Sequence, residues 1–334
     1  MPHSGWLFTA LTVIGIAGAG TLLGAEVLKG ASVSAQPLAG AGMLRLPVSG
    51  MVLKSVDPRT IFIEPLPPPP PPAIPIAKPD AAPTPALTAK SALVIDSATG
   101  TALFEKDADT AQSIASITKL LTAIIITDSA PDWSATSTMQ RPKGIDGPHV
   151  LEQGDVVTLR DLLFASLVGS SNSATLSLVD AVAPKGSSFV ARMRLAIGTY
   201  GLSSMRLEDA AGLSAENRAT ARDVVRLLQM ALERPLLREA LGSARYEVRT
   251  TQGAVRQVTS TNWVLLGKIP LKVSKMIGSK TGYLPEAGYN FVTAVEDGRG
   301  HVLYVAVLGA KDHYARFTEA QALAEWAYRA FEWK

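Results

Sequence analysis

Eleven of the 22 prolines fall between Pro65 and Pro85, six of them in the unbroken run 67–72. Proline has no backbone N–H and fixes φ near −65°, so such a stretch cannot build the interior of a helix or sheet. Residues 65–88 are therefore expected to form a semi-rigid polyproline II linker; a ligand for a proline-reading domain is the weaker alternative. This stretch divides the chain. A short N-terminal part precedes it, and the core has to be built from residues 89–334. With 47% hydrophobic and 18% charged residues, the chain has an ordinary globular composition.

Residues 5–25 carry no charged side chain and are about as long as a bilayer-spanning helix requires. The run exceeds the apolar core of a usual secretory signal, roughly 7–15 residues, which favours a retained anchor. Val33, Ser34 and Ala35 before Gln36 also form a serviceable small-x-small cleavage site. Residues 1–35 are thus read as a signal peptide or an N-terminal membrane anchor. Lys29, Arg45 and Lys54 all follow the run, and no Lys or Arg precedes it. The positive-inside rule alone would keep the body cytoplasmic, against the chemistry argued below. Residues 36–64 remain unassigned. A net charge of +3 without a basic cluster gives no ground for nucleic-acid binding. The absence of cysteine excludes disulfides and thiolate chemistry.

In the body, alternation over 91–96 and 101–106 around a four-residue turn reads as a β-hairpin. Helical periodicity follows over 119–127, 159–167, 174–182, 189–200, 221–232 and 320–331. Strand-like alternation returns over 245–251, 254–259, 289–295 and 301–309. Strands at both ends with helices between them predict an α+β fold: an antiparallel sheet with a mostly helical insertion.

Three short patterns carry the chemistry. Ser116 and Lys119 stand three apart at the start of an apolar helix, so they share a face. A serine there can be activated by a neighbouring amine, and helix N–H groups can steady the oxyanion that follows. Ordinary capping is the plain alternative for this pair. Ser170 and Asn172 lie where one helix ends near Gly169 and another begins, a place that can aim a hydroxyl and an amide into a cleft. Again the plain alternative is a cap. Lys280, Thr281 and Gly282 would supply a cation, a hydroxyl for a carboxylate and a place where a substrate backbone can approach closely; a strand edge is the plain alternative.

In this order, S-x-x-K, S-x-N and K-T-G are the motif set of β-lactamases and penicillin-binding proteins. The body resembles the low-molecular-mass penicillin-binding proteins, the serine-type D-alanyl-D-alanine carboxypeptidase and endopeptidase family. The likeness extends over residues 115–123, 212–217, 220–223, Thr261, Asn262, 280–283, Ala287 and Gly288. It implies a β-lactamase/DD-peptidase-like α/β fold, an antiparallel sheet flanked by helices with a mostly helical subdomain. It also implies acylation of Ser116, Lys119 as its general base and Ser170 as proton relay. Asn172 would bind substrate, Lys280 and Thr281 a terminal carboxylate, and the N–H groups of Ser116 and Tyr283 would form the oxyanion hole. Peptidoglycan stem peptides are the implied substrates and β-lactams the covalent inhibitors. An exported protein is implied, in the periplasm or on the outer face of the cytoplasmic membrane, held by its N-terminal segment if that is uncleaved.

Two departures stand out. Ser171 occupies the middle of the second motif, where relatives often carry Gly or Asp. The chain also ends soon after its last helix, which resembles the shorter endopeptidase branch that cuts D-alanyl-diaminopimelate cross-links. No cofactor or metal is expected. His3, His149, His301 and His313 lack ligand spacing, and no G-x-G-x-x-G or Walker pattern occurs. A serine β-lactamase is one rival, but no E-x-x-L-N stretch lies between Asn172 and Lys280. A non-catalytic wall-binding scaffold is the other, and it has no use for all six polar motif residues.

Overall fold

The structure, a computed structural model, describes residues 43–44, 51–57, 60–65, 72–140, 150–183 and 188–334. It divides into two units, 1–71 and 72–334. In the first, strands Met43–Leu44, Met51–Asp57 and Thr60–Pro65 pair in sequence order as an antiparallel sheet. Part of the stretch left unassigned above thus has regular structure. The apolar run 5–25, His3 and His149 lie outside the described residues. Among those described, no helix is long and apolar enough to cross a membrane.

The second unit opens on β1 (Pro75–Ala77) and the hairpin β2 (Ser91–Asp96) and β3 (Ala102–Lys106). Helices follow: α1 (Lys119–Asp128), α2 (Leu159–Leu167), α3 (Asn172–Val182), α4 (Phe189–Thr199), α5 (Ala221–Leu232) and α6 (Pro235–Gly242). A small hairpin, β4 (Arg245–Arg249) and β5 (Val255–Thr259), leads to the long strands β6 (Lys275–Leu284), β7 (Gly288–Glu296) and β8 (Val302–Ala310). Helix α7 (Ala315–Ala330) and strand β9 (Phe331–Trp333) complete the unit. Helix α6 escaped the periodicity reading.

The main sheet runs β6-β7-β8-β2-β3, antiparallel throughout. Both faces are covered, and alternation sorts the side chains. Val94, Phe291, Val305 and Val307 meet α7 residues such as Phe317, Leu323 and Ala327. Leu93, Val292, Ala306 and Leu308 belong instead to the core shared with α1, α2 and α5. Helix α1 is buried from Lys119 to Ile126, with Lys119 and Thr122 the polar residues of that stretch, the pattern of a central helix. The T-x-x-D sequences at the starts of α2 and α5 form capping boxes, Thr158 with Asp161 and Thr220 with Asp223.

The linker expected over 65–88 is not a free spacer from Pro72 onward. β1 pairs antiparallel with β9, while Ile74 and Lys334 exchange backbone hydrogen bonds of 2.7 and 3.1 Å. Lys78 N–H donates to the Ala330 carbonyl at 2.9 Å, and the Trp326 indole donates to that of Ala82 at 2.8 Å. Pro75 is tolerated because this two-stranded sheet needs no donor from it on its outer side.

Candidate active site

The site forms where α1, the α2–α3 junction, edge strand β6 and the loop 209–217 meet. Residues Ala115–Thr118 make a 3₁₀ turn that leads straight into α1 and carries Ser116, which is half-buried. Ala115 holds φ of +47°, a left-handed conformation that a non-glycine residue adopts only under support. Support comes from two sides. The N–H of Ile114 donates to the Asn217 carbonyl at 2.9 Å, and the Asn290 amide donates to the Ser113 carbonyl at 2.9 Å. Two glycines admit the turn: a Cβ on Gly212 would lie 2.0 Å from the Ala115 oxygen, and one on Gly282 2.5 Å from that of Ile114. Gly282 was expected to make room for substrate backbone. What closes on it here is the chain's own nucleophile turn.

Lys119 is fully buried. Its Nζ lies 2.8 Å from Ser116 Oγ, 2.7 Å from Asn172 Oδ1 and 2.5 Å from the Ala211 carbonyl oxygen. Burial pushes its pKa down from 10.5 to about 7, partly opposed by the charge of Asp209. A neutral amine has two N–H groups and one lone pair. With the Asn172 and Ala211 oxygens taking the two N–H groups, the lone pair is left for the Ser116 hydroxyl, the arrangement a general base needs.

Ser170 occupies the turn between α2 and α3 with φ of +56°. Its neighbour Ser171 is the N-cap of α3, accepting from Ala174 N–H at 3.2 Å. The capping alternative is therefore true of Ser171, which leaves the Ser170 side chain to the site. Lys280 Nζ donates to Ser170 Oγ at 2.8 Å. Burial pushes the Lys280 pKa well down, helped by the positive charges of Lys119 and Arg316. Thr281 Oγ1 shares a 2.5 Å hydrogen bond with Thr261 Oγ1. The Tyr283 ring, further along β6, is exposed and stacks on Tyr289 at 4.4 Å. The structure thus gathers Ser116, Lys119, Ser170, Asn172, Lys280, Thr281, Gly282 and Tyr283 from three segments of the chain.

Arg316 is among the residues that escaped the sequence reading. Arg316, near the start of α7, is 3% exposed and has no hydrogen-bond partner for Nε. Its other nitrogens reach the Gly282 carbonyl at 3.3 Å and the His313 ring at 3.0 Å. Burial lowers its pKa to about 10. A buried guanidinium that reaches the carbonyl of Gly282, the residue after Thr281, and has no ion pair among the described residues is suited to bind an anion. No local pattern marks it, since α7 alone brings it back to β6.

A half-buried hydroxyl with a buried amine beside it, a second hydroxyl–lysine pair and a buried guanidinium are the groups that acyl transfer through a serine requires. The chain belongs to the D-alanyl-D-alanine carboxypeptidase family, whose pattern matches residues 78–312, and it is a serine hydrolase. It is 30% identical over 246 residues to a D-alanyl-D-alanine endopeptidase of Pseudomonas aeruginosa, covering 72% of this chain and 77% of that one. It is also 30% identical over 264 residues to the D-alanyl-D-alanine carboxypeptidase DacC of Escherichia coli, covering 74% of this chain but only 63% of that relative. The fold matches penicillin-binding protein D2 of Listeria monocytogenes in its cefotaxime-bound form. The TM-score is 0.64 at 28% identity, over 74% of this chain and all of that one.

Proposed function

We propose that Ser116 attacks the carbonyl of a D-alanyl residue in a peptidoglycan stem peptide, and that the amine released belongs to a cross-linking diaminopimelate or to a terminal D-alanine. Neutral Lys119 takes the Ser116 proton as the Oγ–C bond forms. The N–H groups of Ser116 and Tyr283 receive the oxyanion, while Lys280 and Thr281, joined by Arg316, hold the carboxylate on the leaving side. Ser170, bonded to Lys280, delivers a proton to the leaving nitrogen as the C–N bond breaks. Water then hydrolyses the ester and frees Ser116. The observation that carries this reading is the Lys119 amine, buried and held between the Asn172 and Ala211 oxygens at hydrogen-bond distance from Ser116 Oγ.

Cleavage of cross-links is favoured over trimming of terminal D-alanine. The support is the likeness to the Pseudomonas aeruginosa endopeptidase, at 30% identity over 77% of its length. β-Lactams would acylate Ser116, as the fold shared with the cefotaxime-bound Listeria protein supports. Such a substrate requires export, to the periplasm or the outer face of the cytoplasmic membrane, with residues 1–35 as signal or anchor.

Digestion of cross-linked peptidoglycan by the full chain, with muropeptides resolved by mass, tests the reading. Loss of dimers with gain of monomers is the expected result. Loss of terminal D-alanine alone would make it a carboxypeptidase, and no change would overturn the substrate.

A further inference from the structure

Asp209 does not touch Ser116 or the substrate cleft, yet its carboxylate organises the loop that faces Lys119. Oδ1 accepts from the N–H groups of Ala211 and Gly212, both at 2.7 Å, and from Leu213 at 3.1 Å. Oδ2 accepts from Leu213 at 3.0 Å and Ser214 at 2.8 Å. Four consecutive amides are thus drawn onto one carboxylate, which turns the chain sharply. The turn presents the Ala211 carbonyl to Lys119 Nζ at 2.5 Å and sets Gly212 against the Ala115 oxygen.

Asn217 closes the loop. Its Oδ1 accepts from Glu208 and Asp209 N–H at 2.7 and 3.3 Å, and its Nδ2 donates to Asp209 O at 2.9 Å and Thr118 Oγ1 at 3.2 Å. One loop therefore grips both the nucleophile turn and the amine.

We propose that Asp209 is a positioning residue for acylation: it holds the Ala211 carbonyl on the Lys119 amine and so aims the lone pair of that amine at Ser116. The inference rests on the roles proposed for Ser116 and Lys119. Without the Ala211 carbonyl, the amine would have one fixed acceptor, Asn172, and could rotate its lone pair away from the hydroxyl. Asp209 also places a negative charge that acts on Lys119, while the positive charges of Lys119 and of Arg316 on α7 act on Lys280 of β6. Neutral Asn172 faces the amine from α3. Removing the Asp209 charge therefore makes Lys119 harder to protonate, whereas removing only the geometry leaves its titration in place.

The test is the rate of acylation by a fluorescent penicillin from pH 5 to 9, for the full chain and for Asp209→Asn and Asp209→Glu. In Asp209→Asn the acidic limb should move to lower pH by about one unit. Its plateau should fall about tenfold or more, because the amine is less well aimed. Asp209→Glu keeps the charge but displaces it by a methylene, so its acidic limb should stay with the wild type while the plateau falls. Either variant decides the matter if the other does not fold. An unmoved limb in folded Asp209→Asn overturns the proposal, as does a moved limb in Asp209→Glu, or a plateau lowered only by the fraction unfolded. A wild type that takes no label overturns the parent reading, and this inference with it.

Discussion

Lys119 is the residue on which the proposed chemistry turns, and its properties follow from burial. An exposed lysine stays protonated until pH approaches 10.5; here the neutral form prevails above about 7. The sign is therefore fixed. Acylation should be full at mildly alkaline pH and should fall tenfold per unit once the pH drops well below about 7. A rate constant that stayed level from pH 8 down to 5.5 would contradict it. Lys119→Ala should slow penicillin acylation about a hundredfold or more, the contribution of a positioned general base. Ser116 and Lys119 were legible in the sequence because the i, i+3 spacing survives into the structure. Asp209 and Arg316 were not, because each acts through a fold-made neighbour: a carbonyl in one case and the end of a distant strand in the other.

At the scale of elements, most helices and strands were readable because each repeats its apolar residues with its own period. Helices α2 and α5 match the sequence reading end to end, since T-x-x-D marks both starts. Helix α6 was missed because its eight residues offer too few turns for a period to show. The 3₁₀ turn before α1 was missed for another reason: its left-handed Ala115 is imposed by Gly212 and Gly282, which are far away in sequence. This distinction has a measurable consequence. Gly212→Ala puts a methyl into the Ala115 carbonyl at a positive φ, and should cost about 2 kcal/mol or more together with most penicillin labelling. Thr220→Ala removes a cap on α5 away from the site, and should cost about 1 kcal/mol while labelling persists. Equal loss of labelling in both variants, measured at matched folded fractions, would mean that the turn has no special dependence on the glycine.

For the whole molecule, the informative misreading is the proline-rich stretch. Composition correctly marks a segment unable to build a core, but it does not reveal that the edge strand β9 leaves a place where a proline-containing strand can pair. Residues 72–88 consequently belong to the body: β1 lies on β9, and both Thr88 groups, N–H and hydroxyl, donate to Glu319 on α7 at 2.9 and 2.5 Å. A chain beginning at Thr88 loses the β1 pairing and the Trp326 contact, several hydrogen bonds each worth about 1 kcal/mol. Its melting temperature should fall about 5 °C or more below that of a chain beginning at Pro72, since each kcal/mol is worth about 2–4 °C at this size. Identical melting would show that the pairing adds no stability. The antiparallel sheet itself was foreseeable from strands at both ends of the body. Its order could not be read in advance, because alternation marks a strand without saying which strand it pairs with. One edge turns out to be β6, the strand that carries Lys280 and Thr281.

The most direct measurement is mass spectrometry of the full chain after incubation with penicillin, with the modified residue located by fragmentation. A single adduct of one penicillin on Ser116, absent from Ser116→Ala, is the predicted result. An adduct on another residue, or one that persists in Ser116→Ala, would contradict the account.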